Sequence, residues 1–219
     1  SNPSALQTVR VTLPDGSVRE FDGPVSALDV ANSISEGLGR VALAAKIDGR
    51  TVDLSTTIDA DARVEILTAR QPEGLEVLRH SCTRLMAQAI KRLYPEAMLE
   101  DGPPTEDGFW YDIYTESPIV PEDFARIEKE MGAIAKEKLP IERRVLSRGE
   151  AIDLFRERGE KYKLAIIESL PEDETISTYK QGEFVDLCRG PHVPHTGVFK
   201  AYKLLSTAGA YWKGDARND

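Results

Sequence analysis

The spacing of apolar residues changes near residue 70, from a period of two to a period of 3.6, so no single repeating pattern accounts for both parts. In the first part Val9, Val11 and Leu13 alternate with polar residues, Pro14-Asp15-Gly16 supplies a turn, and Val18 and Phe21 follow. That pattern predicts a hairpin. Ser26 stands as an N-cap ahead of Leu28, Val30, Ala31 and Ile34, which predicts a short helix ended by Gly37 and Gly39. Ala42 to Ile47 reads as a strand, Asp48-Gly49 as a turn, and Val64-Glu65-Ile66-Leu67 as a closing strand.

The order β-β-α-β-β over residues 1–69 is that of a small β-grasp, ubiquitin-like module. Such modules serve as binding adaptors more often than as catalysts, and this one holds no catalytic constellation. Arg70 to Gly74 reads as a linker. From about Glu73 to Leu93, Leu75, Leu78, Cys82, Leu85, Met86, Ala89 and Leu93 fall at helical spacing. His80, Arg84, Ala87 and Lys91 share the opposite face, where side chains are ordinarily solvated. Glu122 to Lys138 is a second helix, and Ser147-Arg148-Gly149-Glu150 is a capping box opening a third. Strands are expected at Gly108–Tyr114, Thr175–Tyr179, Phe184–Leu187 and Val198–Leu204. Residues 70–219 thus form a second domain, and the whole is of the α+β class.

No apolar run approaches the roughly 20 residues of a membrane span, so no membrane partner is expected. Cys82 and Cys188 are too few for a disulfide framework and suit a reducing compartment, read as the cytoplasm. The net charge of −9 argues against a general nucleic-acid coat. From Tyr179 to Asp219, however, six Lys and Arg face four Asp and Glu, a locally basic stretch suited to the end of an RNA.

All three histidines and both cysteines lie in the second part. His80 and Cys82 sit early in the long helix; Cys188-Arg189-Gly190-Pro191-His192, with His195 beyond, is a glycine-proline turn after a strand. Such turns expose side chains at strand ends, where sites tend to lie. Cys82, on the apolar stripe, reads as core. His80, Cys188 and His192 are zinc-ligand types, though their spacing matches no standard finger.

The order of several motifs is more specific than any one of them. His80-Ser81-Cys82-Thr83-Arg84-Leu85, Asp101-Gly102-Pro103, Gly108-Phe109-Trp110-Tyr111-Asp112, Tyr162-Lys163-Leu164, Val185-Asp186-Leu187-Cys188-Arg189-Gly190-Pro191-His192 and Thr207-Ala208-Gly209-Ala210-Tyr211-Trp212-Lys213-Gly214-Asp215 follow one another. In this order the chain resembles the N-terminal half of bacterial threonyl-tRNA synthetases: a TGS domain, then an editing domain similar to that of alanyl-tRNA synthetases. The resemblance implies hydrolysis of serine wrongly esterified to threonine tRNA. A second pocket is needed because one missing methyl group is worth only about 1–3 kcal/mol of discrimination. By motif position, His80, Lys163 and Asp186 are the implied catalytic residues. His80 and Lys163 would orient or polarise water, and Asp186 would hold the substrate ammonium. Arg84, Tyr111, Cys188 and His192 are the implied substrate contacts, with Tyr111 toward the adenosine and Cys188 and His192 toward the serine.

One departure matters. The family's helix motif is H-x-x-x-H, and this chain has Arg84 in the second position. A guanidinium stays protonated and binds no metal, so the site is read as metal-free, with zinc on His80, Cys188 and His192 as the alternative. The arginine also leaves two functional readings open: an active or slowed editor, or a non-catalytic tRNA-binding module with a relic pocket. The implied partners are the 3′ end of threonine tRNA with its seryl-adenosine and the rest of a synthetase. The chain stops before the family's aminoacylation core, so no cofactor and no use of ATP is expected.

Overall fold

A computed structural model describes residues 7–101 and 111–200. Packing divides them into two compact units, one of residues 7–78 with 190–194 and one of 79–189 with 195–200.

The first unit opens with the hairpin β1 (Val9–Thr12) and β2 (Val18–Phe21). Then come β3 (Val25–Ser26), α1 (Ala27–Ile34), α2 (Glu36–Val41), β4 (Ala44–Ile47), β5 (Arg50–Val52), β6 (Thr57–Ile58) and β7 (Ala62–Leu67). Five strands form one sheet in the order β2-β1-β7-β4-β5, with β1 and β7 parallel and the other pairs antiparallel. The alternation read from the sequence buries Val9 and Val11 and exposes Arg10. Val9, Val11, Val30, Ala31, Leu54, Ile58 and Val64 make the core. Ser26 and Asp29 form a reciprocal capping box on α1.

Two expectations change here. Gly37 and Gly39 do not end α1; Ser35 does, by capping α2, in which both glycines lie. A Cβ on Gly39 would fall 1.7 Å from Asn32 Oδ1, so this glycine serves the close approach of α2 to α1. Nor is Arg70–Gly74 an extended linker, because α3 (Pro72–Leu93) already begins at Pro72, a residue suited to a helix's first turn.

In the second unit α3 continues, followed by β8 (Met98–Asp101) and β9 (Tyr111–Tyr114), which pair antiparallel. A 3-10 turn (Pro121–Asp123) leads into α4 (Phe124–Glu137), and then come β10 (Glu142–Leu146), α5 (Arg148–Glu157) and α6 (Lys161–Ser169). The antiparallel sheet β10-β11-β12 is completed by β11 (Ile176–Gln181) and β12 (Phe184–Leu187). Leu146, Ala151, Phe155, Ile167, Ile176 and Val185 form the core between this sheet and α5 and α6. Arg148 at the start of α5 donates to the carbonyls of Ile167 and Leu170, fixing the C-terminal end of α6.

Arg92 on α3 ties three elements together. Its guanidinium meets Glu130 and Glu137 of α4 at 3.2 and 2.9 Å, and Glu183 between β11 and β12 at 2.6 Å. The predicted strand Val198–Leu204 does not begin at Val198, which closes a 3-10 turn, Thr196–Val198. Residues 201–204 of it, residues 108–110 of the predicted strand Gly108–Tyr114, and the motifs Gly102-Pro103, Phe109-Trp110 and Thr207–Asp215 lie outside the described residues.

Candidate functional site

Helix α3 is amphipathic in sequence, yet every residue from Ser81 to Ile90 is buried. The face carrying Arg84 and Ala87 is therefore interior, not solvated as its composition suggested. His80 is half-buried and Arg84 is 2% exposed. A guanidinium in that position needs a counterion, and Asp186 supplies it. Arg84 Nε lies 2.7 Å from Asp186 Oδ2, with side-chain exposures of 2% and 3%.

Asp186 comes from β12, opposite Tyr179 of β11. Its other oxygen, Oδ1, lies 2.9 Å from Lys163 Nζ and also accepts the Leu187 N–H at 2.9 Å. Lys163 is buried on α6 one turn from Ile167, although in the sequence it resembles a surface lysine. Its ammonium also donates to the Leu99 carbonyl of β8 at 3.3 Å. Leu99 faces Ile113, and Asp101 faces Tyr111, in the β8–β9 ladder. The backbone of Tyr111 thus opens a strand whose partner is tied to Lys163. The Tyr111 side chain lies outside the described residues.

Burial alone would depress the Lys163 pKa, but the charge and hydrogen bond of Asp186, helped by the charge of Glu160, more than offset it and hold the group above the ordinary lysine value. Lys163 is then a hydrogen-bond donor at neutral pH and not a base. Arg84 is always charged, so two cations share the Asp186 carboxylate, with the charge of Glu160 also acting on Lys163. Both Asp186 oxygens are engaged, and a substrate ammonium binding there would have to displace Arg84 or Lys163.

Two amides extend this cluster. Gln181 Nε2 donates to Gln88 Oε1 at 2.9 Å and to the Arg84 carbonyl at 3.4 Å, and Gln88 Nε2 donates to Glu183 Oε2 at 3.1 Å. Neither glutamine was singled out from the sequence. The available signal was spacing, since Gln88 follows Arg84 by one helical turn and His80 by two.

Cys188 follows β12 and is pinned to Ser177 of β11 through two contacts of its backbone: its N–H to the Ser177 carbonyl at 3.1 Å, and its carbonyl to Ser177 Oγ at 2.5 Å. Its sulfur and a ring nitrogen of His80 lie within 4.8 Å of each other, and these are donor types that zinc accepts. His192 is buried and belongs by packing with the first unit, where its N–H donates to Asp53 Oδ1 at 2.8 Å. Gly190 takes φ +76°, a conformation that favours glycine. Burial pushes the Cys82 thiol up to about 12, so this cysteine is core and not a nucleophile.

The fold and this cluster define a class: a β-grasp TGS module followed by an α+β domain of tRNA synthetases. Residues 9–68 match the TGS domain family, and residues 176–219, with Asp186, Cys188 and His192, match the threonyl and alanyl tRNA synthetase second additional domain. The chain is 56% identical over 209 residues to the threonine–tRNA ligase of Methylococcus capsulatus, covering 95% of this chain and 33% of the relative. The corresponding values are 55%, 95% and 33% for Alkalilimnicola ehrlichii, and 52%, 95% and 32% for Coxiella burnetii. The chain carries the paired domains of the N-terminal region of bacterial threonine–tRNA ligases and spans about a third of those relatives' length. Among the described residues no helix is long and apolar enough to cross a membrane.

Proposed function

We propose that the chain is the proofreading part of a threonyl-tRNA synthetase, hydrolysing the ester of seryl-tRNA(Thr) in the cytoplasm. In this reading residues 1–69 form the TGS domain and 70–219 the editing domain. Threonine tRNA is the partner, the rest of the synthetase holds most of it, and no ATP is used here. The observation that carries the reading is the buried Arg84–Asp186–Lys163 cluster, which fixes a charged lysine beside the elements bearing His80 and Cys188. Ester hydrolysis builds negative charge on the carbonyl oxygen, and a fixed cationic environment lowers that barrier.

In this mechanism water adds to the ester carbonyl while its proton passes to the neutral His80 imidazole. The resulting oxyanion is stabilised by the Lys163 ammonium, which stays protonated throughout. Collapse of the intermediate expels the ribose oxygen, which takes the proton back from His80. Asp186 holds Arg84 and Lys163 in place. Cys188 and His192 contact the aminoacyl end, and Tyr111 the adenosine. The water is activated without a metal; stoichiometric zinc in protein purified without chelator would replace this step.

A second reading has its own support. Arg84 occupies the position of the family's second helix histidine and is committed to Asp186, as expected of a non-catalytic tRNA-binding module with a relic pocket. Incubation with seryl-tRNA(Thr) separates the two. Serine release well above the uncatalysed rate is expected. Release at the uncatalysed rate, also in the full-length enzyme, overturns the hydrolase reading, and salt-dependent binding without release favours the second.

A further inference from the structure

The second unit has another feature that the hydrolytic cluster does not use. A groove of about 490 Å³ lies between the C-terminal half of α4 and the segment 197–200. Lys136, Lys138 and Lys200, all exposed, line it with Gly132, Ala135 and Gly197, and the one carboxylate among its described lining residues is Glu128. In a chain of net charge −9, three ammonium groups against one carboxylate reverse the prevailing sign. The carbonyl end of α4 accounts for Lys136 in the last helical turn. It does not account for Lys200, which comes from a separate segment.

The two sides of the groove meet at Gly197. A Cβ on Gly197 would fall 2.9 Å from Lys138 Cγ and 2.8 Å from His195 Nδ1, so the lysine stem packs directly on the Gly197 backbone. Burial, and then the charges of Lys200 and Lys138, lower the pKa of His195, as expected where the two ammonium groups act on one spot. Among its described lining residues no large apolar side chain is exposed as an anchor of the kind that carries protein–protein affinity, because Phe199 is only 6% exposed. Flexible point charges above a floor of small residues suit phosphates, which Lys contacts without base specificity.

We infer that this groove is a docking surface for the phosphodiester backbone of an RNA strand. The inference rests on the reading above that the chain acts on an aminoacylated RNA, and it assigns the groove a positioning task that uses none of the hydrolytic residues. The test uses the whole chain, an acceptor-stem RNA hairpin and fluorescence anisotropy over roughly 50–200 mM salt. Lys136→Glu/Lys138→Glu/Lys200→Glu is expected to lose at least about tenfold in affinity at the low-salt end and to flatten the log–log salt slope by about 2. A charge-matched reversal on the first unit, Arg40→Glu/Arg50→Glu/Arg63→Glu, is expected to lose less than about threefold. The single variants Lys136→Ala and Lys200→Ala, each losing about twofold to fivefold, report the same effect without the risk of misfolding. Wild-type protein that does not bind the hairpin, a triple variant with unchanged affinity and slope, or equal loss in the control overturns the inference. So does polyglutamate binding as tightly as RNA at the same salt, which would mark an acidic protein partner. Binding is read without turnover, so failure of the hydrolase reading appears separately, as binding without serine release.

Discussion

Arg84 and Asp186 stand 2.7 Å apart, Nε to Oδ2, with almost no solvent at either side chain. One comes from a helix that the sequence presents as amphipathic, the other from β12, an edge strand of its sheet. Apolar neighbours such as Leu85, Ala87 and Ile90 bury this part of the helix, and the anion is what makes burial of the cation tolerable. Lys163 on the second carboxylate oxygen turns the pair into a three-element junction of α3, α6 and β12.

Asp186→Asn keeps the shape of this junction and removes the carboxylate that both cations share, leaving Arg84 and Lys163 buried without it. The expected loss of stability is about 3–5 kcal/mol. Arg84→Leu leaves Asp186 paired with Lys163, and about 1–3 kcal/mol is expected. Urea unfolding of both variants checks the order. A smaller loss for Asp186→Asn than for Arg84→Leu would mean that the carboxylate is not what holds the cluster.

Arg84→His separates stability from chemistry. It restores the two-histidine spacing on one helix face and shortens the side chain at Asp186. Hydrolysis of seryl-tRNA(Thr) per folded molecule is expected to rise about tenfold, while the melting temperature falls. An unchanged or lower rate would show that the guanidinium is a working part of the site.

The fold was legible wherever one face of an element meets solvent. β1 and α1 announce themselves by alternation and by the Ser26 cap, and α5 by its capping box. β10 did not, because this edge strand is exposed at four of its five residues and therefore carries no alternation. The same limit applies to the cluster. Periodicity counts Arg84 and Lys163 as polar and sends them to solvent. Only a partner distant in sequence, Asp186, reverses that assignment, and no local pattern contains it. His80, Lys163, Asp186 and Cys188 came instead from the order of whole motifs, whereas Gln88 and Gln181 belong to no motif and emerge only from packing.

Lys163 carries a sign that can be measured. Its folded pKa lies above the unfolded value near 10.5. Its contribution to stability is therefore fully present below pH 10.5 and is lost as pH rises through the folded value. Nitrogen NMR of the Lys163 ammonium should show no titration between pH 6 and 10. The pH–rate profile of hydrolysis should accordingly contain no step due to this residue. Lys163→Met, which leaves Asp186 with Arg84 alone, should cost about 1–3 kcal/mol. Titration of the ammonium near neutrality would make Lys163 available as a base and undo its assignment as a permanent donor.

Glu183 gives the opposite sign. Its hydrogen bond from Arg92 outweighs partial burial and lowers its pKa from 4.5 to about 2. The stability it supplies is present above pH 4.5 and is lost as pH falls through about 2. The full linkage for such a shift is about 3 kcal/mol. The Glu183 side chain is 56% exposed, however, and solvent screening reduces the expected net to about 1 kcal/mol. Glu183→Gln should therefore destabilise the protein by about 1 kcal/mol at pH 7 and by nothing measurable at pH 2. Raising salt to about 1 M should shrink the difference at pH 7 further, because an exposed pair is screened. A deficit that persists at pH 2, or that ignores salt, would mean Glu183 acts through its contact with Gln88 and not through the charge of Arg92.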